Sequence, residues 1–78
     1  MKRTRYFDAM RIRPDRAGIA DAWIRRVIDS PEREEIQADG RIRRWTRIPE
    51  ADGRALRVIL LADGETVHNA FFDRSYRP

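Results

Sequence analysis

The stretch "DGETVHNAFFDR", residues 63–74, contains the chain's one histidine, His68, with Asn69 directly after it. An imidazole titrates near neutral pH, which makes His68 the natural candidate for a general base. A second constellation lies in "RIRRWTRI", residues 41–48. Strand alternation there places Arg41, Arg43, Trp45 and Arg47 on one face and Ile42, Arg44, Thr46 and Ile48 on the other. Guanidinium groups around an aromatic ring suit phosphate contacts and base stacking, which is what binding of RNA or another single strand requires. The same pattern also fits a tryptophan packed beneath a neighbouring element with arginine stems around it. A third cluster, "EREE", puts Glu32 and Glu34 on one strand face. They can hold a divalent cation, or they can guard an edge strand and pair with the arginines that follow.

Other chemistries find no support. There is no phosphate-binding glycine loop, no paired-histidine zinc motif and no cysteine, so nucleotide-dependent and zinc cofactors are not expected. Ser30 precedes a proline and Ser75 lies near the C-terminus, and neither sits on the sharp strand-to-helix turn of a serine nucleophile.

The elements that position these residues follow from turn signals. Ala-Asp-Gly occurs at 38–40, 51–53 and 62–64, and each copy marks a chain reversal between extended runs. Three reversals define four strands, "EREEIQ", "RIRRWTRI", "ALRVILL" and "TVHNAFF", and links this short join antiparallel neighbours into a β-meander. In the first hairpin a three-residue loop with Gly40 in the left-handed region pairs Ile36 with Ile42, Glu35 with Arg43 and Glu34 with Arg44. A two-residue loop would set Ile36 against Arg43. The same three-residue loop in the last hairpin places His68 opposite Val58, on the Leu56-Val58-Leu60 face. A two-residue loop moves His68 to the other face. Ahead of the sheet, Ile19, Trp23, Ile24, Val27 and Ile28 form a helical stripe that Ser30-Pro31 ends. Tyr6, Phe7 and Met10 share a shorter helix ending before Pro14. The expectation is a single small α+β domain over residues 1–78, with two N-terminal helices packed on a four-stranded antiparallel sheet.

Charge is distributed in blocks. Residues 1–16 carry +4, residues 17–40 carry −3, residues 41–54 carry +3 and the remainder is neutral; 16 of the 17 basic residues are arginine. Arginine suits phosphate because its fork bonds two oxygens, although a GC-rich genome also enriches it. The third strand is apolar on both faces, Leu56, Val58 and Leu60 on one and Ile59 and Leu61 with Arg57 on the other. A helical layer covers only one face, so the second is closed by a terminus or by another copy in a homodimer. The lack of cysteine and of a hydrophobic stretch in "MKRTRYFDAM" predicts a cytoplasmic protein with no membrane association.

"RYFDAMRIRP", "GIADAWIRRVIDSP", "DGRIRRW", "GRALRVI" and "ETVHNAF", in this order, resemble a family of small bacterial domains of unknown function. More remotely, the helix-then-meander layout is similar to the BrnT toxins and, through them, to RelE-like ribonucleases. That resemblance implies RNA binding by sheet arginines, metal-independent cleavage and an antitoxin partner. By position Arg57, Arg74 and Tyr76 stand in such roles, with His68 as base, Arg43 and Arg57 as cations and Tyr76 as acid. Where BrnT-like chains carry Ser-Ala-Arg in the last strand, this chain has Asn69-Ala70-Phe71. Two functions are therefore expected: a non-catalytic module binding nucleic acid or a protein through Arg41, Arg43, Trp45, Arg47 and Arg74, or an endoribonuclease using His68, Arg57 and Tyr76.

Overall fold

Thr4 starts the first helix. Its hydroxyl oxygen accepts the Phe7 N–H at 3.1 Å, satisfying an amide that a first helical turn leaves unpaired. In the computed structural model, which describes residues 1–77, this helix, α1, spans Arg5–Met10 and buries Phe7. Helix α2 spans Asp21–Asp29, with Ile24 and Val27 buried and Trp23 and Ile28 packed at the core margin. Ile19 precedes α2 yet joins the same core.

The strands are β1 (Arg33–Ile36), β2 (Ile42–Ile48), β3 (Arg54–Leu60) and β4 (Val67–Phe72), in the order β1-β2-β3-β4 with every neighbouring pair antiparallel. The protein is α+β, two helices followed by a four-stranded antiparallel sheet. Ile48, Leu56, Val58, Leu60, Val67 and Ala70 meet Phe7, Ile24 and Val27 in one core. Full burial of such a side chain stabilises by about 1.5–3 kcal/mol, more than a typical exposed ion pair at about 0–1 kcal/mol, so this core outweighs the surface charge pairs.

The polar residues on the helix side of β2 have a specific use. Arg44 Nη1 donates to the Ile28 carbonyl at 3.0 Å and Thr46 Oγ1 to the Ser30 carbonyl at 3.1 Å. These are carbonyls at the end of α2, which a helix cannot satisfy internally.

The first hairpin has the expected register, Glu34 opposite Arg44, Glu35 opposite Arg43 and Ile36 opposite Ile42, with Gly40 at φ +89°. The last hairpin departs from expectation. Asp63 Oδ1 accepts the N–H groups of both Glu65 and Thr66, and its Oδ2 accepts the Thr66 hydroxyl. That grip lengthens the turn, so Leu61 closes it against Thr66 rather than Glu65, through Leu61 N–H to Thr66 O at 2.9 Å. Leu60 then pairs with Val67 and Ile59 with Asn69, with a bulge at His68 between them. Ala70, not His68, lies opposite Val58.

The N-terminal segment lies along β4, where Thr4 N–H donates to Val67 O at 3.0 Å and Val67 N–H to Lys2 O at 2.9 Å. Among the described residues no helix is long and apolar enough to cross a membrane.

Candidate nucleic-acid interface

The face of the sheet away from the helices is built row by row from the register. Arg33, Trp45, Arg57 and Phe71 are aligned across all four strands. Their side chains stack in sequence. The guanidinium of Arg33 lies 5.6 Å from the Trp45 ring, that of Arg57 lies 5.4 Å from Trp45 and 5.2 Å from Phe71, and Arg16 lies 5.1 Å from Phe71. Each such contact is worth about 0.5–1 kcal/mol when exposed and more when desolvated, so the row fixes arginine positions that would otherwise be mobile.

The C-terminal tail closes this row. Asp73 N–H donates to Ala55 O at 2.9 Å, continuing the β3 pairing, and the Tyr76 ring stacks on Trp45 with centroids 6.0 Å apart. Trp45 is left 5% exposed. Trp45 Nε1–H donates to Asp73 Oδ2 at 2.9 Å, and Arg57 Nη1 lies 3.6 Å from the same oxygen. Asp73 Oδ1 accepts both the N–H and the hydroxyl of Ser75. Burial opposes ionisation of Asp73, but the bonds from Ser75 and Trp45 and the charge of Arg57 outweigh it and hold the carboxyl below the usual carboxylate range. Burial, and then the neighbouring charge of Arg43, lower the pKa of Arg57.

Beside the tail a groove of about 380 Å³ opens between the start of β3 and residues 72–76. Arg47, Arg54, Arg74, Phe72, Asp73 and Tyr76 give it its chemistry. Arg47 points its Nε at both oxygens of Glu32, 3.3 and 3.0 Å away. Arg54 Nε donates to Ala51 O at 3.0 Å while its guanidinium lies 4.1 Å from the Phe72 ring. The terminal nitrogens of these two side chains have no hydrogen-bond acceptor among the described residues. A concavity of similar volume elsewhere lacks this gathering of arginines, its lining placing Lys2 and Arg25 alongside Asp29 and Glu65.

Most basic side chains are neutralised within the molecule, as Arg44 is by Glu34, Arg47 by Glu32 and Arg26 by Glu50. Among the described residues, Arg5, Arg25, Arg54, Arg74 and Arg77 lack a carboxylate partner. Three of these five belong to the β3 start and the tail.

The sequence-derived candidates are thus divided among four places. Arg47 and Arg74 share the groove. Arg43, Trp45 and Arg57 lie in the middle of the sheet, with Arg43 Nη1 3.9 Å from Glu35. Arg41 is six residues from Arg47 along the chain at the far end of β2, about 20 Å away at strand rise, beside Asp39. Arg57 and Tyr76 both touch Trp45. His68 touches neither of them. It stacks on Tyr6 of α1 at 4.8 Å, and its Nδ1 lies 3.0 Å from the Thr4 hydroxyl. Burial, with Arg41 second, lowers its pKa.

Sequence reasoning missed Arg54, Phe72 and Asp73. Arg54 follows a turn glycine, and Asp73 directly follows the last apolar pair, so the signal available was their place at strand ends that the antiparallel order brings side by side. No group of three His, Cys, Asp or Glu side chains among the described residues is placed to hold a metal ion. Comparison of the chain with protein-family models, curated protein sequences and solved structures yields no match.

Proposed function

We propose that the protein is a small non-catalytic binding module that holds a single-stranded nucleic acid by its phosphates in the groove formed by Arg47, Arg54, Arg74 and Tyr76. The observation that carries this reading is the groove itself, which gathers Arg54 and Arg74, neither with a carboxylate partner among the described residues, and Arg47, shared with Glu32, around one lining carboxylate, Asp73, which is already engaged by Trp45, Ser75 and Arg57. The two groove rings favour a single strand over a protein partner, because Tyr76 offers a π-face to an unstacked base and Arg54 is braced on Phe72. Catalysis is not part of the reading, since His68 lies at the bulge with Thr4 and Tyr6, apart from Arg57 and Tyr76.

The test is anisotropy of labelled single-stranded RNA, single-stranded DNA and duplex in low salt. Single strands are expected to bind better than duplex. Arg54→Ala and Arg74→Ala should each weaken binding to a similar degree whatever the base sequence, as loss of a phosphate contact does. The RNA should be recovered intact with magnesium chelated. Absence of binding, or binding unchanged in both variants, would refute the assignment.

A further inference from the structure

The centre of the open face contains a second cationic feature that the groove does not use. Arg57 has a side chain only 19% exposed, and its Nε is buried with no hydrogen-bond partner among the described residues. A buried guanidinium with an unmet donor is costly unless an anion supplies the missing acceptor. The nearest anion is Asp73, and it serves Arg57 poorly: one oxygen, 3.6 Å from Nη1, in place of a two-toothed fork. That same oxygen takes the indole N–H of Trp45. Arg57 and Trp45 therefore present two donors converging on a single oxyanion position, with Arg43 close enough to depress the Arg57 pKa.

Asp73 and Tyr76 line the groove as well as covering this position. The polar bonds of the tail beyond Asp73 are mostly local, from Ser75 N–H and hydroxyl to Asp73 and from Tyr76 N–H to the Asp73 carbonyl at 3.4 Å, and Arg33 Nη1 reaches the Arg77 carbonyl only at 3.5 Å. The Tyr76 hydroxyl stands 3.5 Å from Glu32, at the limit of a hydrogen bond. A strand of nucleic acid entering the groove thus meets, directly beside it, a cationic position held by a carboxylate of the protein's own tail.

We infer that the Arg57–Trp45 pair is a second phosphate site on the same binding surface, and that the Asp73 carboxylate is its internal occupant in the free protein. The inference rests on the proposed nucleic-acid reading and deepens it: a phosphodiester takes the place of Asp73, the Asp73–Tyr76 tail swings aside, and the bound strand extends from the groove onto the aromatic row. A phosphate offers several acceptor oxygens where Asp73 offers one, so the exchange also supplies the acceptor that Arg57 lacks.

The experiment compares wild type with Asp73→Asn, which keeps the shape and the acceptor oxygen but removes the charge. Ser75→Ala, which loosens Asp73 without touching it, is a second variant should the first fold poorly, and folding is followed by thermal melting. The probe is a labelled single-stranded RNA titrated at several salt concentrations. Asp73→Asn is expected to bind about tenfold more tightly and to steepen the slope of log K against log salt by about 0.7, because a displaced Asp73 carboxylate no longer offsets the phosphate contact made by Arg57. The gain should vanish in the double variant Asp73→Asn/Arg57→Met. Glu65→Gln, which removes one negative charge beside Lys2, controls for net charge. If wild type binds and Asp73→Asn behaves like Glu65→Gln, the second site is refuted while the groove stands. If no protein binds, both fall. If Asp73→Asn alone binds, the internal-occupant inference is supported.

Discussion

Trp45→Phe is the substitution most directed at the way the tail is held. The ring face stays, so stacking with Tyr76 and the arginine contacts are largely kept, while the indole N–H to Asp73 is lost. A hydrogen bond to a charged partner contributes about 1.5–3 kcal/mol. Asp73 retains Ser75 and Arg57, which favours the lower end of that range. The smaller ring leaves a gap at a position 5% exposed, adding roughly 1 kcal/mol. The expected loss is about 2–3 kcal/mol, against a total of about 4–12 kcal/mol for a chain of this size. In thermal terms that is a drop of roughly 10–20 °C. Urea unfolding at neutral pH, with Asp73→Ala and the double variant completing a cycle, should give a coupling of about 1–2 kcal/mol. The folded pKa of Asp73 is depressed below its ordinary 3.8, so this contribution is present above pH 3.8 and fades as the pH falls below it. A loss under about 0.5 kcal/mol, or a coupling of zero, would refute the view that Asp73 anchors the tail through Trp45.

Thr46→Val keeps the volume at a position 7% exposed but removes the donor to the Ser30 carbonyl, and should cost about 1–2 kcal/mol in urea unfolding. The folded pKa of His68 lies below its ordinary 6.5, so stability should be full above pH 6.5 and decline as the pH falls toward the folded value. Equilibrium unfolding across pH 7 to 5 should show that decline in wild type and not in His68→Phe, which retains a ring against Tyr6.

The fold was legible where local chemistry decides it. Three Asp-Gly turns and the Ile19-to-Ile28 stripe mark the elements, and opposed Glu34–Arg44 and Glu35–Arg43 fix the first register. The last register was not legible, because Asp63 can either close a tight turn or, as here, cap two amides and a hydroxyl and lengthen it. His68 consequently falls at a bulge beside α1, a result of long-range contact with Thr4 and Tyr6 that alternation cannot reveal. The candidate site was half legible. Alternation identified Trp45 and its flanking arginines. The groove, however, depends on Arg54 and on a tail whose course is set by Asp73 bonding to Ala55 and Trp45, residues far away in sequence.

The most direct measurement of the central claim is the salt dependence of single-strand RNA binding in wild type and in Arg54→Ala/Arg74→Ala. If Arg47, Arg54 and Arg74 each contact one phosphate, the wild-type slope of log K against log salt should be about −2, and the double variant should retain about −0.7. A slope near zero in wild type, or one unchanged in the double variant, would contradict the account.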